Sequence, residues 1–277
     1  MNPYIALTRP GNMVLTAIAV VAGAFIAAGT NVSDFQMEIL ICCFCSMMLV
    51  GGGNALNDYN DRETDKENHP ERPIPSGKVS ADSAYTYAQS LLGLGLLILL
   101  LALENKMPFV VALIGVLLLI AYENGLKAAG ITGNVAVGLM SGAVFLFAGM
   151  AVNDPGPTLW MFGLAVLATI TREIVKDIQD LEGDTDRRTL PSRIGIGYSL
   201  NLAILILLIA VGLSYTAMGQ FEEMAWNVYA GGITLANAIM LFGIYNAKQE
   251  DYFMGQKNIK QGMGIAMLAF IAAAGLS

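Results

Sequence analysis

Apolar residues fall into blocks of about twenty, broken by short polar stretches, and nine such blocks can be read along the chain. They cover residues 11–30, 36–56, 83–103, 108–124, 133–152, 157–176, 196–218, 224–246 and 260–276, the fourth and the last being the shortest. Each is long enough to cross a bilayer as a helix, in which every backbone polar group is satisfied within the segment. The pattern predicts an all-α, polytopic membrane helix bundle of about nine transmembrane helices. The first block has only Arg9 ahead of it, shows no clear cleavage signature and is followed by eight more, so a retained helix is expected rather than a signal peptide.

Composition agrees with the pattern. Apolar residues make up 55% of 277 and charged residues 13%, roughly half the charged share of an ordinary globular domain. Mean hydropathy is +0.59. A net charge of −7 argues against nucleic acid as a partner, because a phosphate backbone selects a basic face. The lone His69 rules out a multi-histidine metal site, and Cys42, Cys43 and Cys45 lack zinc or redox spacing inside an apolar block. His69 reads as a plain loop residue, with a substrate contact as the alternative, and the scattered methionines as flexible packing. Nothing in the sequence names a protein partner.

Basic residues set the orientation. With the N-terminus in the cytoplasm, 14 of the 15 Lys and Arg fall on the inner side and only Lys106 outside. The expected placement is therefore a multi-pass cell-membrane protein with its N-terminus inside.

Charge is concentrated in two places. Segments 58–82 and 172–193 hold 11 charged residues each, 22 of the 37 in the chain, and both are expected on the cytoplasmic side. The first reads Asn54, Asp58, Asp61, Asp65 and the second Glu173, Asp177, Asp180, Asp184, each position 119 residues after its counterpart. This offset points to an internal duplication into two pseudo-repeated halves. Residues 1–277 are expected to form a single membrane-embedded domain, with acidic motif and cap at 54–82 and again at 172–193.

Steps of four, three and four place each acidic set on one helix face, within about 60°. Stacked carboxylates repel one another and are costly near a membrane, so a cationic partner is expected. Carboxylates and an amide carbonyl are ligands for a hard cation such as Mg²⁺, which completes its shell with water and phosphate oxygens. Two facing acidic helices would clamp a metal-bound diphosphate, with Arg62, Arg72, Lys127 and Lys176 among the bases able to offset its remaining charge. Lys176 also reads as a snorkelling lysine at a helix end. Gly51, Gly52 and Gly53 allow either close packing or a bend ahead of the first set. Solvated loops of mixed charge, a cation-coupled transporter and a structural scaffold are the competing readings. Carriers place their acids near the bilayer midplane, whereas these lie at the ends of the apolar blocks.

The run from Asn54 through Asn57, Asp58, Asp61, Arg62 and Asp65 resembles the first aspartate motif of the UbiA-type intramembrane prenyltransferases, and the run from Asp177 through Asp180 to Asp184 their second. The resemblance implies Mg²⁺-assisted loss of diphosphate from an isoprenyl diphosphate, followed by capture of the allylic cation. It assigns Asp58, Asp61, Asp65, Asp177, Asp180 and Asp184 to Mg²⁺ and diphosphate, and Asn54 to the amide preceding the first motif. Tyr122 and Lys127 match the family's Tyr and Lys after the fourth helix, with Lys127 holding diphosphate, while Arg9 and Asn12 resemble the polar pair that opens the first helix. Within the family the two runs are most similar to the archaeal ether-lipid branch. That similarity implies geranylgeranyl diphosphate as donor, a lipid-like phosphate acceptor, geranylgeranylglyceryl phosphate, and Arg9 as the cation for the acceptor's phosphate. The Tyr-Pro-x2-Lys-Arg pattern of the ubiquinone branch is missing, which argues against an aromatic acceptor in quinone biosynthesis.

Overall fold

In a computed structural model of the chain, residues 1–181, 189–221 and 223–276 are described. Among them there is no strand. Twelve α-helices follow one another: α1 (Pro3–Thr8), α2 (Pro10–Ala28), α3 (Gln36–Asn60), α4 (Arg62–Asn68), α5 (Ala81–Ala102), α6 (Met107–Glu123), α7 (Ile131–Ala151), α8 (Gly156–Gln179), α9 (Leu190–Ile194), α10 (Ile196–Thr216), α11 (Glu223–Lys248) and α12 (Tyr252–Ala274). Each of the nine apolar blocks lies largely within its own long helix.

Six stretches of the described residues are long and apolar enough to cross a membrane: Pro10–Asn60, which holds α2 and α3 in succession, Ala81–Ala102, Ile131–Ala151, Gly156–Gln179, Ile196–Thr216 and Met224–Lys248. α6 is apolar but shorter, and the first half of α12 carries Gln256, Lys257, Asn258, Lys260 and Gln261. The architecture is that of a multi-pass membrane protein. Large side chains such as Leu40, Phe44, Ile114, Leu117, Leu205 and Phe242 point outward, where lipid rather than water would meet them.

The duplication shows in the packing. α2 lies on α3, which lies on α5; with the 119-residue offset, α7 lies on α8, which lies on α10. The same offset carries α6 and α7, which pack on each other, onto α11 and α12, which do so too. One apolar core joins α8, α10, α11 and α12 around Ile174, Leu207, Tyr229 and Phe270. A second joins α2, α3, α5 and α7, and a third seats α1 against α3 and α5 through Leu7, Ala55 and Ala88.

α3 runs unbroken through Gly51, Gly52 and Gly53, and close packing accounts for the three. A Cβ added to them would lie 3.2 Å from Thr8 Cβ, 2.9 Å from Leu92 Cγ and 3.1 Å from Leu119 Cδ2, so α3 is hemmed in on three sides. α11 and α12 approach even more tightly: a Cβ on Gly243 would lie 2.7 Å from the Gly255 carbonyl oxygen. Gly243→Val should therefore destabilise the protein by about 1–3 kcal/mol, the usual cost of overpacking. Thermal unfolding in detergent reads this directly, and an unchanged melting temperature would contradict the close approach.

Candidate active site

The site begins where α1 stops. Pro10 has no N–H to continue the helix and suits the first position of a new one. Arg9, between α1 and α2, takes φ 50° and ψ 72°, an uncommon conformation for a non-glycine residue. Asn54 of α3 donates to the Thr8 carbonyl at 2.9 Å and holds this corner in place. The Arg9 guanidinium is thereby turned onto α3, where it donates to Asp58 Oδ1 at 2.5 Å and to Asn57 Oδ1 at 3.5 Å.

Asp58 and Asp65 are nearly sealed from solvent, at 4% and 5% exposure, and buried carboxylates require paired cations. Arg72, from the turn after α4, supplies one, lying 2.6 Å from Asp65 Oδ2 and 3.7 Å from Asp58 Oδ1. Asp61 is the hinge residue between α3 and α4. Its two carboxylate oxygens each lie 2.6 Å from Lys127 Nζ. The expected single acidic face is thus divided: Asp58 and Asp65 share Arg72, while Asp61 turns to the segment after α6.

Two groups that sequence reasoning left unassigned complete this cluster. Glu123, at the end of α6, has a side chain only 3% exposed and accepts from Asn57 Nδ2 at 2.9 Å and Asn60 Nδ2 at 3.3 Å. It lies 3.7 Å from Lys127 Nζ, so Lys127 sits between Asp61 and Glu123. Asn57 donates to both Asp61 and Glu123. Their signal in the sequence was an acid four residues before Lys127 and an amide inside the first motif.

The second acidic set lies at the end of α8. Asp177 accepts from Asn134 Nδ2 of α7 at 3.0 Å, Asp180 caps the helix, and Glu173 pairs with Arg172 at 2.6 Å. Asn134, a lone amide in an apolar helix, was also not anticipated. Asp184 lies outside the described residues. Arg193 of α9 donates to the Ala128 carbonyl, next to Lys127, so the turn after α6 touches both caps.

Between these elements runs a cavity of about 440 Å³. Its polar end is formed by Arg9, Asn54, Asn57, Tyr122, Glu123 and Glu173, and it deepens between apolar residues of α3, α6 and α7 down to Phe147. Both motif helices contribute to its lining, α3 through Asn54 and Asn57 and α8 through Glu173.

Not every expected residue joins the cluster. Arg62 bonds its own helix end, donating to the Tyr59 carbonyl at 2.8 Å with its guanidinium 4.6 Å from the Tyr59 ring centroid. The stacking is local because Tyr59 lies three residues back and presents its face. Asn12 is exposed and outside the lining; Thr16, one turn further along the same face, lines the cavity instead. Lys176 is half-buried and makes no ion pair among the described residues. Arg9, expected at an acceptor's phosphate, is held by the first acidic set.

Among the described residues, no three acidic side chains converge tightly enough to cage a bare metal ion. Mg²⁺ usually takes one or two carboxylates and fills its shell with water and substrate phosphate. The donor set, carboxylates and amides beside a polar-ended apolar cavity, suits such a shared shell.

The chain is 37% identical over 268 residues to a digeranylgeranylglyceryl phosphate synthase from Methanothrix thermoacetophila, covering 96% of each protein. Among solved structures, one described as digeranylgeranylglyceryl phosphate synthase in membranes superposes with a TM-score of 0.84 at 30% identity, over 99% of this chain and 98% of the other. A UbiA homologue from Archaeoglobus fulgidus, bound to DMAPP and Mg²⁺, shares the fold at 17% identity, with a TM-score of 0.71 over 95% of this chain and 98% of that one. The model of the UbiA prenyltransferase family matches residues 16–274, and with relatives this similar along nearly the whole chain, the protein belongs to that family.

Proposed function

We propose that the protein transfers a geranylgeranyl group from geranylgeranyl diphosphate to the free hydroxyl of geranylgeranylglyceryl phosphate, with Mg²⁺, releasing diphosphate. The observation that carries this reading is the shape and polarity of the cavity. An apolar channel with Arg9, Asn54 and Asn57 at its polar end, beside carboxylates able to hold Mg²⁺, matches an apolar chain ending in a metal-bound anionic head. Acceptor identity is supported by the named activity of the relatives.

Asp58, Asp61 and Asp65, with Asp177, Asp180 and Asp184, would hold Mg²⁺ and the diphosphate. Bound there, Mg²⁺ supplies Lewis-acid neutralisation of the leaving diphosphate. The chain's own part is electrostatic. Arg9, Arg72 and Lys127 are already fixed beside carboxylates, so little reorganisation is needed as charge builds on the leaving group. The apolar wall keeps water from the allylic carbon, leaving the acceptor hydroxyl as nucleophile. The carbon–diphosphate bond breaks with its electron pair leaving on the diphosphate, the acceptor oxygen captures the allylic cation to form the C–O bond, and the hydroxyl proton passes last to a carboxylate of the acidic sets. A product assay with one labelled C20 donor and several acceptors tests the proposal. Labelled ether lipid is expected only with geranylgeranylglyceryl phosphate and only without chelator. Preference for 4-hydroxybenzoate would overturn the acceptor, and no diphosphate release from any donor would overturn the transferase.

Arg72 and Arg62 separate the site from its surroundings. Arg72→Gln should lower kcat/KM for the donor about ten- to a hundredfold, the worth of a charged hydrogen bond at about 1.5–3 kcal/mol. Arg62→Gln should change it less than about threefold, because this guanidinium serves its own helix end. Equal losses in the two variants would contradict the assignment.

We further propose nine crossings with the N-terminus and both caps in the cytoplasm, on the strength of the basic residues. In a background lacking Cys42, Cys43 and Cys45, a cysteine at Lys66 should label only from the cytoplasmic side and one at Asp154 only from outside. Labelling of both from one side would contradict the three crossings between them, and labelling from exchanged sides would reverse the topology.

A further inference from the structure

The wall contributed by α6 has an opening in the middle of its cavity face. Val111, Ala112, Gly115, Val116 and Leu119 line the cavity on this helix, with Tyr122 and Glu123 at its polar end. Gly115 lies seven residues, about 10 Å along the helix, below Tyr122. A Cβ built on Gly115 meets nothing within 4 Å. Gly53, also in the lining, differs: its Cβ would lie 3.1 Å from Leu119 Cδ2, so packing accounts for that glycine. Packing does not account for Gly115. Glycine weakens a helix interior relative to alanine, and alanine would fit here without a clash. The space in front of Gly115 is the cavity itself, with Met140 and Val144 of α7 among its other lining residues.

We propose that Gly115 is the residue that sets donor chain length, its missing side chain leaving room for the distal half of a C20 prenyl chain. This rests on the reading of the cavity as the donor's channel. The polar end lies by Arg9 and Asn57, so a short C10 chain ends at about the level of Gly115, while a C20 chain has to pass Gly115 to reach the apolar depth near Phe147. A bulky side chain at this position would shorten the channel without touching any group at the polar end.

The test compares kcat/KM for geranyl, farnesyl and geranylgeranyl diphosphates with geranylgeranylglyceryl phosphate as acceptor, in purified wild type, Gly115→Val and Gly115→Phe. The ratio between donors does not depend on how much of a variant is active, so partial misfolding leaves the readout intact. Gly115→Phe should shift the geranyl-to-geranylgeranyl ratio at least tenfold toward the short donor, with Gly115→Val in between. Should the phenylalanine variant fail to fold, the valine variant carries the test through the same ratio. Gly93→Phe serves as the control, since Gly93 is exposed on α5 with open space around it and lies outside the cavity lining; its ratio should match wild type. Donor ratios that stay unchanged in both Gly115 variants would overturn the inference while leaving the transferase standing. Wild type that turns over none of the three donors would overturn the proposed function itself.

Discussion

Asp58→Asn should slow prenyl transfer by at least about two orders of magnitude, and Asp177→Asn should do the same. The substitution keeps shape and removes charge. At Asp58 it leaves Arg9, 2.5 Å away, and Arg72, 3.7 Å away, facing an amide in a site with little access to water. It also removes a carboxylate proposed to share the cation that neutralises the leaving diphosphate. Loss of one such transition-state partner costs about 2.7–4 kcal/mol, a hundred- to thousandfold in rate. Asp177 has a different local partner, Asn134, so its variant tests whether the second half of the duplication matters equally. Turnover at saturating Mg²⁺ is the measurement. A near wild-type rate in either variant would rule out a site built from both halves.

Lys127→Met should be nearly as damaging and should also destabilise the fold. Lys127 lies between Asp61 and Glu123, and its side chain is 13% exposed. Methionine keeps the length and apolar stem but leaves two carboxylates facing each other across a mostly dry gap. Breaking a buried pair by removing one partner costs about 3–5 kcal/mol. Partial exposure of Asp61, at 19%, puts the expected stability loss at the low end of that range. The rate should fall at least about a hundredfold, because Lys127 also matches the position proposed to hold diphosphate. Thermal unfolding and turnover read the two effects separately. Lys127→Met together with Glu123→Gln should recover part of the stability and none of the rate. Recovery of the rate would mean that Lys127 acts only by neutralising Glu123.

The sequence carried the helices and the duplication because both are local or periodic signals. Nine apolar blocks each became a long helix, and the 119-residue offset that aligned Asp58 with Asp177 also relates α3 to α8. What it did not carry were contacts between segments distant in the chain. Glu123 and Asn57 are 66 residues apart, as are Lys127 and Asp61, and only the packed bundle joins them. Helical spacing placed Asp58, Asp61 and Asp65 on one face, but the break between α3 and α4 falls at Asp61 and turns it toward Lys127. Arg62 was read as a substrate contact from its place in the motif, while a tyrosine ring three residues back fixes it elsewhere. Asn12 shared a helix face with a lining residue and still fell outside the cavity, one turn too near the helix end.

The claim that two acidic helix ends form one Mg²⁺-diphosphate site is tested most directly by binding. Isothermal titration of purified protein with a non-hydrolysable thiolo analogue of geranylgeranyl diphosphate, with and without Mg²⁺, separates binding from chemistry. Binding to wild type is expected only with Mg²⁺ present, and at least about tenfold weaker in both Asp58→Asn and Asp177→Asn, the scale of one lost charge-assisted contact. Equal affinity without a divalent ion, or weakening confined to one of the two variants, would contradict a shared site.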